Sequence, residues 1–532
     1  MIGQSAGTGI EDQDLNDTTT AADEHSEQPA SSYSWYVLGV LVVVYILNFI
    51  DRQILAILAV DIKRDLGLSD GDLGFLGGAA FAVFYALFGV PLGRLADRWH
   101  RVRLLTIGLV LWSTMTALSG FARNFMTLSL ARMGVGVGEA TASPTAYSLI
   151  SDYFPKRQRA TALAIYSSGL YLGGGVSLLI GANISKWWDA AYPGGGIGGL
   201  VGWQAAFVAV GLPGVMLAIW VASLREPKRQ PDAASGERHP LIDFLIDLSM
   251  LVPPLTLIHA LLRGPKALLI NLLVAVAMTA FALVMIELTG NIPQWGSIAF
   301  GYYAVFSWAS TLRRHDPATF QLIWGTPAFI CTALGYGLVS LGAYALAFWS
   351  ASYGETVLGL PKGQLAFVLG GCGATSGFLG VILGGRMSDW LRQRNPSGRI
   401  LVVIFGIVAP IIPIWIGFTT QSALLFYVMN FLAGMFAATA LGAAAATTQD
   451  LVLPRMRGTA TASFFLATTL VGLGLGPFMV GAISDLSGSL RIGVLSLIGV
   501  APISLALLIY AYRVLPEAEA TMAERASAAA AG

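Results

Sequence analysis

The sequence predicts an all-α membrane protein: two matched six-helix bundles with two further helices inserted between them, fourteen spans in all. Three observations carry that prediction. Hydrophobic residues make up 55% of the 532 residues and charged residues only 11%, too apolar a chain for a solvated globular surface. The apolar residues come in runs of about 20, enough to cross roughly 30 Å of hydrocarbon as a helix. Finally, Gly93-Arg94-Leu95-Ala96-Asp97-Arg98, followed by Arg101 and Arg103, returns in the second half as Gly385-Arg386-Met387-Ser388-Asp389, followed by Arg392 and Arg394. A chain built twice in this way has the internal repeat of a transporter.

Residues 1–32 are polar and acidic (Glu11, Asp12, Asp14, Asp17, Asp23, Glu24 and Glu27). They lack the basic start and short apolar core of a cleaved signal and are expected to be a disordered cytoplasmic tail. The first bundle, 33–226, holds spans at 35–60, 72–96, 103–122, 125–151, 161–186 and 203–224. A central linker follows, 227–318. Its polar stretch Pro231 to Pro240 precedes residues 241–262, apolar on one side but interrupted by Asp243, Asp247, Pro253 and Pro254, an interfacial helix. Two long apolar segments, 267–289 and 292–312, are the inserted spans. The second bundle, 319–515, holds spans at 321–353, 363–389, 399–418, 422–449, 461–484 and 490–513. Residues 516–532, rich in alanine and glutamate, are expected to be a cytoplasmic tail, as a short amphipathic helix or disordered.

Basic residues set the orientation, because cytoplasmic loops are enriched in lysine and arginine. Arg94 to Arg103, Lys156-Arg157-Arg159, Arg225-Lys228-Arg229, Arg313-Arg314, Arg392 to Arg399 and Arg455-Arg457 all fall on one side if the chain starts inside; Lys63 and Arg64 are a local exception. Inserting an even number of spans preserves this alternation. A multi-pass protein of the inner cell membrane with both termini in the cytoplasm is expected. The repeat extends to Pro155-Lys156-Arg157-Gln158-Arg159-Ala160-Thr161-Ala162 and Pro454-Arg455-Met456-Arg457-Gly458-Thr459-Ala460, each leading into a glycine-rich helix whose small residues let backbones approach closely.

Several chemistries are excluded. Cys331 and Cys372 lie in apolar segments and read as small apolar residues, not as a disulfide or metal site. Gly134-Val135-Gly136-Val137-Gly138 lies in an apolar helix with no preceding strand and no Walker lysine, so it is no nucleotide loop. No Ser/His/Asp constellation supports catalysis. Neither an enzyme nor a cofactor is expected, the net charge of +1 gives no reason to expect a nucleic-acid partner, and the chain reads as a monomer.

Four charges stand where lipid forbids them unless they meet a cavity, one another or a substrate: Asp51 and Arg52 in the first span, Arg132 and Glu139 in the fourth. An isolated central charge costs at least about 2.5 to 3.5 kcal/mol. Rise per residue puts Asp51 about 14 Å from the outer boundary, with Arg132 near 10 Å and Glu139 near 21 Å. Arg132 and Glu139 are two turns apart on one face, so the four residues can form one cluster in the first half. Burial favours the protonated form of a carboxyl and a nearby arginine the ionised form; opposed in this way, Asp51 and Glu139 are proton-coupling candidates. Arg52 and Arg132, with Asn48, are candidates for binding an anionic headgroup through charge-assisted hydrogen bonds. The second half has no such charges. Tyr336 and Tyr344 in helix 7 and Asn430 in helix 10 line its expected, mostly apolar wall, and a site so divided suits an amphiphile.

The paired halves and the G-x-L-a-D-R loop after helix 2 with its echo after helix 8 resemble the major facilitator superfamily, over nearly all of residues 33–515. A narrower likeness is to bacterial Spinster-like lipid transporters. It rests on Asn48-Phe49-Ile50-Asp51-Arg52, on Arg132-Met133-Gly134-Val135-Gly136-Val137-Gly138-Glu139-Ala140 and on Ser151-Asp152-Tyr153-Phe154-Pro155. The resemblance implies the major facilitator fold, two six-helix bundles related by pseudo-two-fold symmetry, here with two extra central helices. It also implies a cytoplasmic gate at Gly93, Asp97, Arg98, Arg101, Gly385 and Asp389, in which Asp97 and Arg101 help latch the halves together when the site opens outward. Asp97 facing the N-terminal end of helix 11 near Thr459 would gain about 0.3 to 1 kcal/mol. The copies are unequal: Arg98 has Trp390 as its counterpart. The implied activity is proton-coupled alternating-access transport of an amphipathic lipid, lysophospholipid-like or sphingosine-1-phosphate-like, with protons and membrane lipids as partners. A polyspecific drug or organic-anion exporter is the alternative within transport; a passive scramblase or lipid-modifying enzyme is the alternative outside it.

Overall fold

A computed structural model describes residues 30–227, 239–252 and 255–531. The expected acidic tail therefore lies almost wholly outside the described residues, as does most of the polar stretch Pro231 to Pro240. Among the described residues every regular element is helical and no strand occurs.

The first helix, α1 (Ser32–Leu66), starts where the Ser31 hydroxyl accepts the Ser34 amide and ends at Gly67 in the left-handed region, φ 65°. The second span is α2 (Asp70–Gly77) running into α3 (Ala79–Arg98); Ser69 and Asp72 close a capping box at its start. Next come α4 (Arg101–Ser119), α5 (Phe125–Glu139), α6 (Ala142–Tyr153), α7 (Lys156–Ala191) and α8 (Gly202–Ala222). The linker folds as α9 (Pro240–Ser249) and α10 (Leu255–Leu262), and the inserted pair as α11 (Pro265–Thr289) and α12 (Ile292–His315). The expected interfacial segment 241–262 is thus two short helices, each far below spanning length.

The second half comprises α13 (Pro317–Ile323), α14 (Pro327–Thr356), α15 (Lys362–Arg394), α16 (Gly398–Val408), α17 (Ile411–Thr419), α18 (Ala423–Ala438) and α19 (Ala440–Asp450). It continues with α20 (Arg457–Ala467), a π-helical segment over Thr468–Leu473, α21 (Gly474–Ser487), α22 (Leu490–Leu495), α23 (Ala501–Ala520) and α24 (Met522–Ala531). Several expected spans are therefore broken. The 125–151 span divides after Glu139, the 399–418 span at Ala409-Pro410, and the 461–484 span at the π segment. Hydropathy reads such a run as one helix because it senses side-chain polarity and not the backbone geometry that interrupts it. The C-terminal tail is helical, and the Arg525 guanidinium donates to the Thr326 hydroxyl at 2.6 Å.

Twelve helices among the described residues are long and apolar enough to cross a membrane. They include α11 but neither α12 nor the broken α5–α6 pair, so length and apolarity alone do not reach the fourteen expected. Only Asn271 and Ala282 of α11 are buried, and Leu269, Ile270, Leu273 and Val276 are exposed. A helix this apolar with so little burial has lipid as its solvent. Its partner α12 packs on both halves. The Gln294 amide donates to the Gly474 carbonyl at 2.9 Å, Asn291 donates to Asp72 at 3.1 Å, and the Trp295 ring meets Phe478 edge-on.

Candidate functional site

The four intramembrane charges converge. Arg52 donates to Glu139 Oε2 from Nη2 at 2.8 Å and from Nε at 3.3 Å, with the arginine side chain 11% exposed and the glutamate 0%. The guanidinium lies 4.4 Å from the Phe81 ring centre, 4.9 Å from Phe49 and 5.0 Å from Tyr85. Three π faces around a desolvated cation add about 0.5 to 2 kcal/mol apiece. Arg132, also buried, is spent on backbone: Nη1 donates to the Asp51 carbonyl at 3.0 Å and Nη2 to the Arg52 carbonyl at 3.5 Å. It pins α5 to α1 and offers no face to a ligand in this conformation.

Asp51 differs from Glu139. Fully buried, it faces Thr116, Trp112, Arg132 and Glu139, yet neither carboxylate oxygen makes a hydrogen bond of acceptable geometry. Asn48 Nδ2, Glu139 Oε1, Arg132 Nε, the Thr116 hydroxyl and the Trp112 indole N–H around it are likewise buried and unpartnered. Buried polar atoms are nearly always satisfied, and so many unsatisfied at one place mark a site rather than a core.

Glycine makes the convergence possible. A Cβ on Gly136 would lie 2.6 Å from the Phe81 carbonyl oxygen, and one on Gly138 would lie 2.7 Å from the Trp112 amide nitrogen. Without side chains there, α5 closes onto α3 and α4, and Glu139, at its last turn, reaches α1. The helix breaks directly after it.

The expected second wall is only partly assembled. Tyr344 packs against the first-half aromatic cluster and shares the electrostatic neighbourhood of Arg52 and Tyr85. Tyr336 is buried and stacked on Phe464, ring centres 5.3 Å apart, and the Asn430 amide donates to the Ser350 hydroxyl at 2.6 Å. Both are engaged within their own half. Sequence reasoning missed Phe81, Tyr85, Trp112 and Thr116. Phe81 and Tyr85 share one face of α3 at i, i+4, a signal no different from ordinary packing until Arg52 is seen beneath them.

At the end bearing the repeated motifs, which are helical here and not loops, Arg94 donates to Asp247 at 2.7 Å and Arg98 to Asp243 at 2.8 Å, both in the linker helix α9. These exposed pairs contribute about 0 to 1 kcal/mol each. Arg101 is buried and paired with Asp152 and with Glu226, the latter at 2.8 Å, partners from its own half. The latch expected of it is no part of this conformation. In the second half Arg399 at the start of α16 pairs with Asp450 at the end of α19, and Asp389 is exposed. Gly93 and Gly385 are spacious, the former with only Pro144 at 3.9 Å from a built Cβ and the latter with nothing within 4 Å.

The halves are joined at the opposite end. The Asp485 carboxylate accepts the Asp70 amide at 2.9 Å and the Gly71 amide at 2.7 Å, capping the start of α2 from across the seam. Ser484 donates to Asp70 at 2.6 Å, and Lys362 pairs with Asp61. Removing this cap with Asp485→Ala is expected to cost about 0.5 to 2 kcal/mol. Labels placed across this end should then separate in spin-label distance measurements; an unchanged distribution would rule out a closing role.

Matched helical halves, joined at one end and holding a buried, incompletely satisfied ionic cluster between membrane helices, define a secondary transporter. Residues 41–477 match the sequence profile of the Major Facilitator Superfamily, and the chain belongs to that family. It is 25% identical over 462 residues to an MFS-type efflux pump of Mycolicibacterium smegmatis, covering 87% of each chain. It is also 25% identical over 477 residues to protein spinster homolog 1 of Xenopus laevis, covering 85% of this chain and 74% of that one. A crystal structure of a bacterial homologue of the human lysosomal transporter Spinster, inward-facing and unoccupied, superposes with a TM-score of 0.66 at 25% identity, covering 93% and 99% of the two chains. The protein is a transporter of the Spinster type and not an enzyme.

Proposed function

We propose that this chain is a proton-coupled transporter of an anionic amphiphile, lysophospholipid-like or sphingosine-1-phosphate-like, working by alternating access. The observation that carries the reading is the contrast between the two buried carboxyls. Arg52 neutralises Glu139 in the aromatic cage, whereas Asp51 forms neither a salt bridge nor a hydrogen bond, the neighbouring Arg132 being bonded to backbone carbonyls. A proton is the species able to neutralise Asp51 in place. An anionic headgroup entering beside Tyr344 would compete with Glu139 for Arg52, and Glu139 released from its partner would take up a proton in turn. Headgroup and proton thereby become coupled through one guanidinium.

The bundles 33–226 and 319–515 rock about this centre, closed at the Asp485 end in an inward-facing state, with Asp97, Arg98, Arg101 and Asp389 closing the other end in the outward-facing one. Counting α5–α6 as one broken span and α12 as another gives fourteen, so both termini stay in the cytoplasm of a bacterial cell, in its inner membrane. The tails 1–32 and 516–532 and the linker 227–318 then share that side, apart from the α11–α12 hairpin itself. A monomer contains the whole pathway. The efflux-pump relative favours a second reading, a polyspecific exporter of drugs or organic anions.

The two are separated with purified protein in vesicles carrying a pH gradient. Gradient-dependent movement of lysophospholipids or a sphingoid phosphate is expected. Movement of unrelated drugs instead selects the second reading, and equilibration of lipid without gradient dependence overturns both. Asp51→Asn should lower gradient-driven accumulation about tenfold or more, equivalent to about 1.4 kcal/mol of lost coupling, while leaving counterflow exchange intact. Full accumulation by that variant would remove Asp51 from the coupling step.

A further inference from the structure

A cavity of about 900 Å³ lies away from the central cluster, between the inserted hairpin and the second half. Its size is near the upper limit of ordinary ligand pockets. Four cations, Arg263, Lys266, Arg313 and Arg314, stand at one end. Its walls are apolar: Ile270 and Phe306 from the hairpin face Leu334, Leu466, Leu470 and Val471 of the second half.

The cations are not explained by packing. Arg263 donates to the Thr311 hydroxyl at 2.6 Å and Arg314 to the Arg263 carbonyl at 3.5 Å, while Arg313 lies 5.7 Å from the Phe320 ring. None of the four forms a salt bridge with a described carboxylate. Burial and the neighbouring Arg314 hold the Arg263 guanidinium below its usual range, as expected of like charges crowded without a counterion. Lys266 stands in the first turn of α11, where the helix dipole disfavours a cation, and no acidic residue or side-chain cap offsets it. Helix α11 itself exposes apolar side chains to lipid, so the cavity borders the membrane.

We propose that this cavity is a binding site for one anionic glycerophospholipid. Its phosphate sits among Arg263, Lys266, Arg313 and Arg314, and an acyl chain lies along the apolar groove between the hairpin and the second half. Charge complementarity selects the occupant. Four cations without carboxylate partners match an anion, and an amphiphile from the surrounding bilayer matches a charged end continuous with an apolar groove. The far wall includes the π segment, and Gly301 of α12 packs between Val83 of the first half and Leu470 of the second. An occupant would therefore fill the contact between the inserted hairpin and the second half, which would explain why the linker carries two extra helices. The site does not depend on what the central cluster transports; the orientation proposed above enters only in assigning the lipid to the cytoplasmic leaflet.

The test uses the full-length protein purified in detergent, with native mass spectrometry and thermal denaturation in added phosphatidylglycerol or phosphatidylcholine. Retention of phosphatidylglycerol over phosphatidylcholine is expected, with a matching rise in Tm. Substituting the cations singly with glutamine should lower phosphatidylglycerol affinity about fivefold per residue and leave phosphatidylcholine unaffected. Val471→Trp, which fills the groove, should remove the lipid while inorganic phosphate, tested separately, protects neither variant nor parent. Equal retention of the two lipids by the unmodified protein overturns the proposal without any variant having to fold. Protection by inorganic phosphate alone would also overturn it, as would undiminished binding in Arg263→Gln and Arg313→Gln. Because binding is read directly, an inactive transporter that still selects phosphatidylglycerol supports this site while counting against the transport reading.

Discussion

Replacing Arg52 with alanine is expected to destabilise the protein by about 3 to 5 kcal/mol, the cost of stranding Glu139 as a buried charge without its partner. The loss should appear as a large fall in Tm in detergent and as loss of anionic-substrate binding. Arg52→Ala with Glu139→Gln removes both charges and should recover a large part of the stability but none of the binding. Arg52→Lys keeps the charge, yet it cannot reproduce the two donations to Glu139 Oε2 or the stacking on Phe81 and Tyr85. It should fold and bind weakly. A double variant as unstable as Arg52→Ala, with binding retained in either, would show that the pair is structural only.

The second large effect is expected at the crossing of α7 and α15, where the two halves meet. A Cβ on Gly175 would lie 2.6 Å from the Gly370 carbonyl oxygen, and a Cβ on Gly370 would lie 2.6 Å from that of Gly175. The contact is reciprocal, backbone against backbone. Gly370→Val forces the helices apart at a cost of about 1 to 3 kcal/mol, a shift of about 5- to 150-fold in the population of any conformation that contains the contact. Transport should fall accordingly, and spin labels on α7 and α15 should report a wider separation. Gly371 and Gly373 on the same helix have nothing within 4 Å of a built Cβ, so Gly371→Val and Gly373→Val are the controls. Equal loss in all three variants would mean that the site tolerates no side chain for reasons of helix propensity, and the seam argument would fail.

Much of the arrangement around the first cluster is legible in the linear sequence. The depth argument placed Asp51 and Arg52 between the levels of Arg132 and Glu139, and the folded chain has Arg52 on Glu139 and Arg132 on the carbonyls of Asp51 and Arg52. Depth follows from a fixed rise per residue and needs no knowledge of neighbours. Which atoms pair depends on how far each helix is rotated about its own axis, and that is set by contacts such as Gly136 against Phe81, residues remote in sequence. Arg132 therefore looked like a ligand-binding group and proved to be bonded to backbone. Tyr336 and Asn430 looked like wall residues for the same reason, since an aromatic or amide in an apolar helix reads alike whether it faces a cavity or its own bundle.

The repeated Gly-Arg-x-x-Asp motifs, which fold as the C-terminal turns of α3 and α15, behaved similarly. Their duplication, and the family it points to, could be read directly, because a repeat is a property of the linear sequence. Their partners could not. Arg94 and Arg98 engage Asp247 and Asp243 of α9, residues that the linear reading treated only as interruptions in an interfacial helix.

By itself the sequence determined that this is a duplicated helical membrane protein of the major facilitator type, with its charges concentrated in the first half, because hydropathy, repeat and axial depth are local or periodic properties. Only the tertiary structure decided that Arg52 is caged and paired while Asp51 is left without a hydrogen bond, and that the inserted hairpin forms a basic-ended cavity against the second half. Those outcomes depend on the rotation and close approach of helices, which arise from packing between segments far apart in the chain.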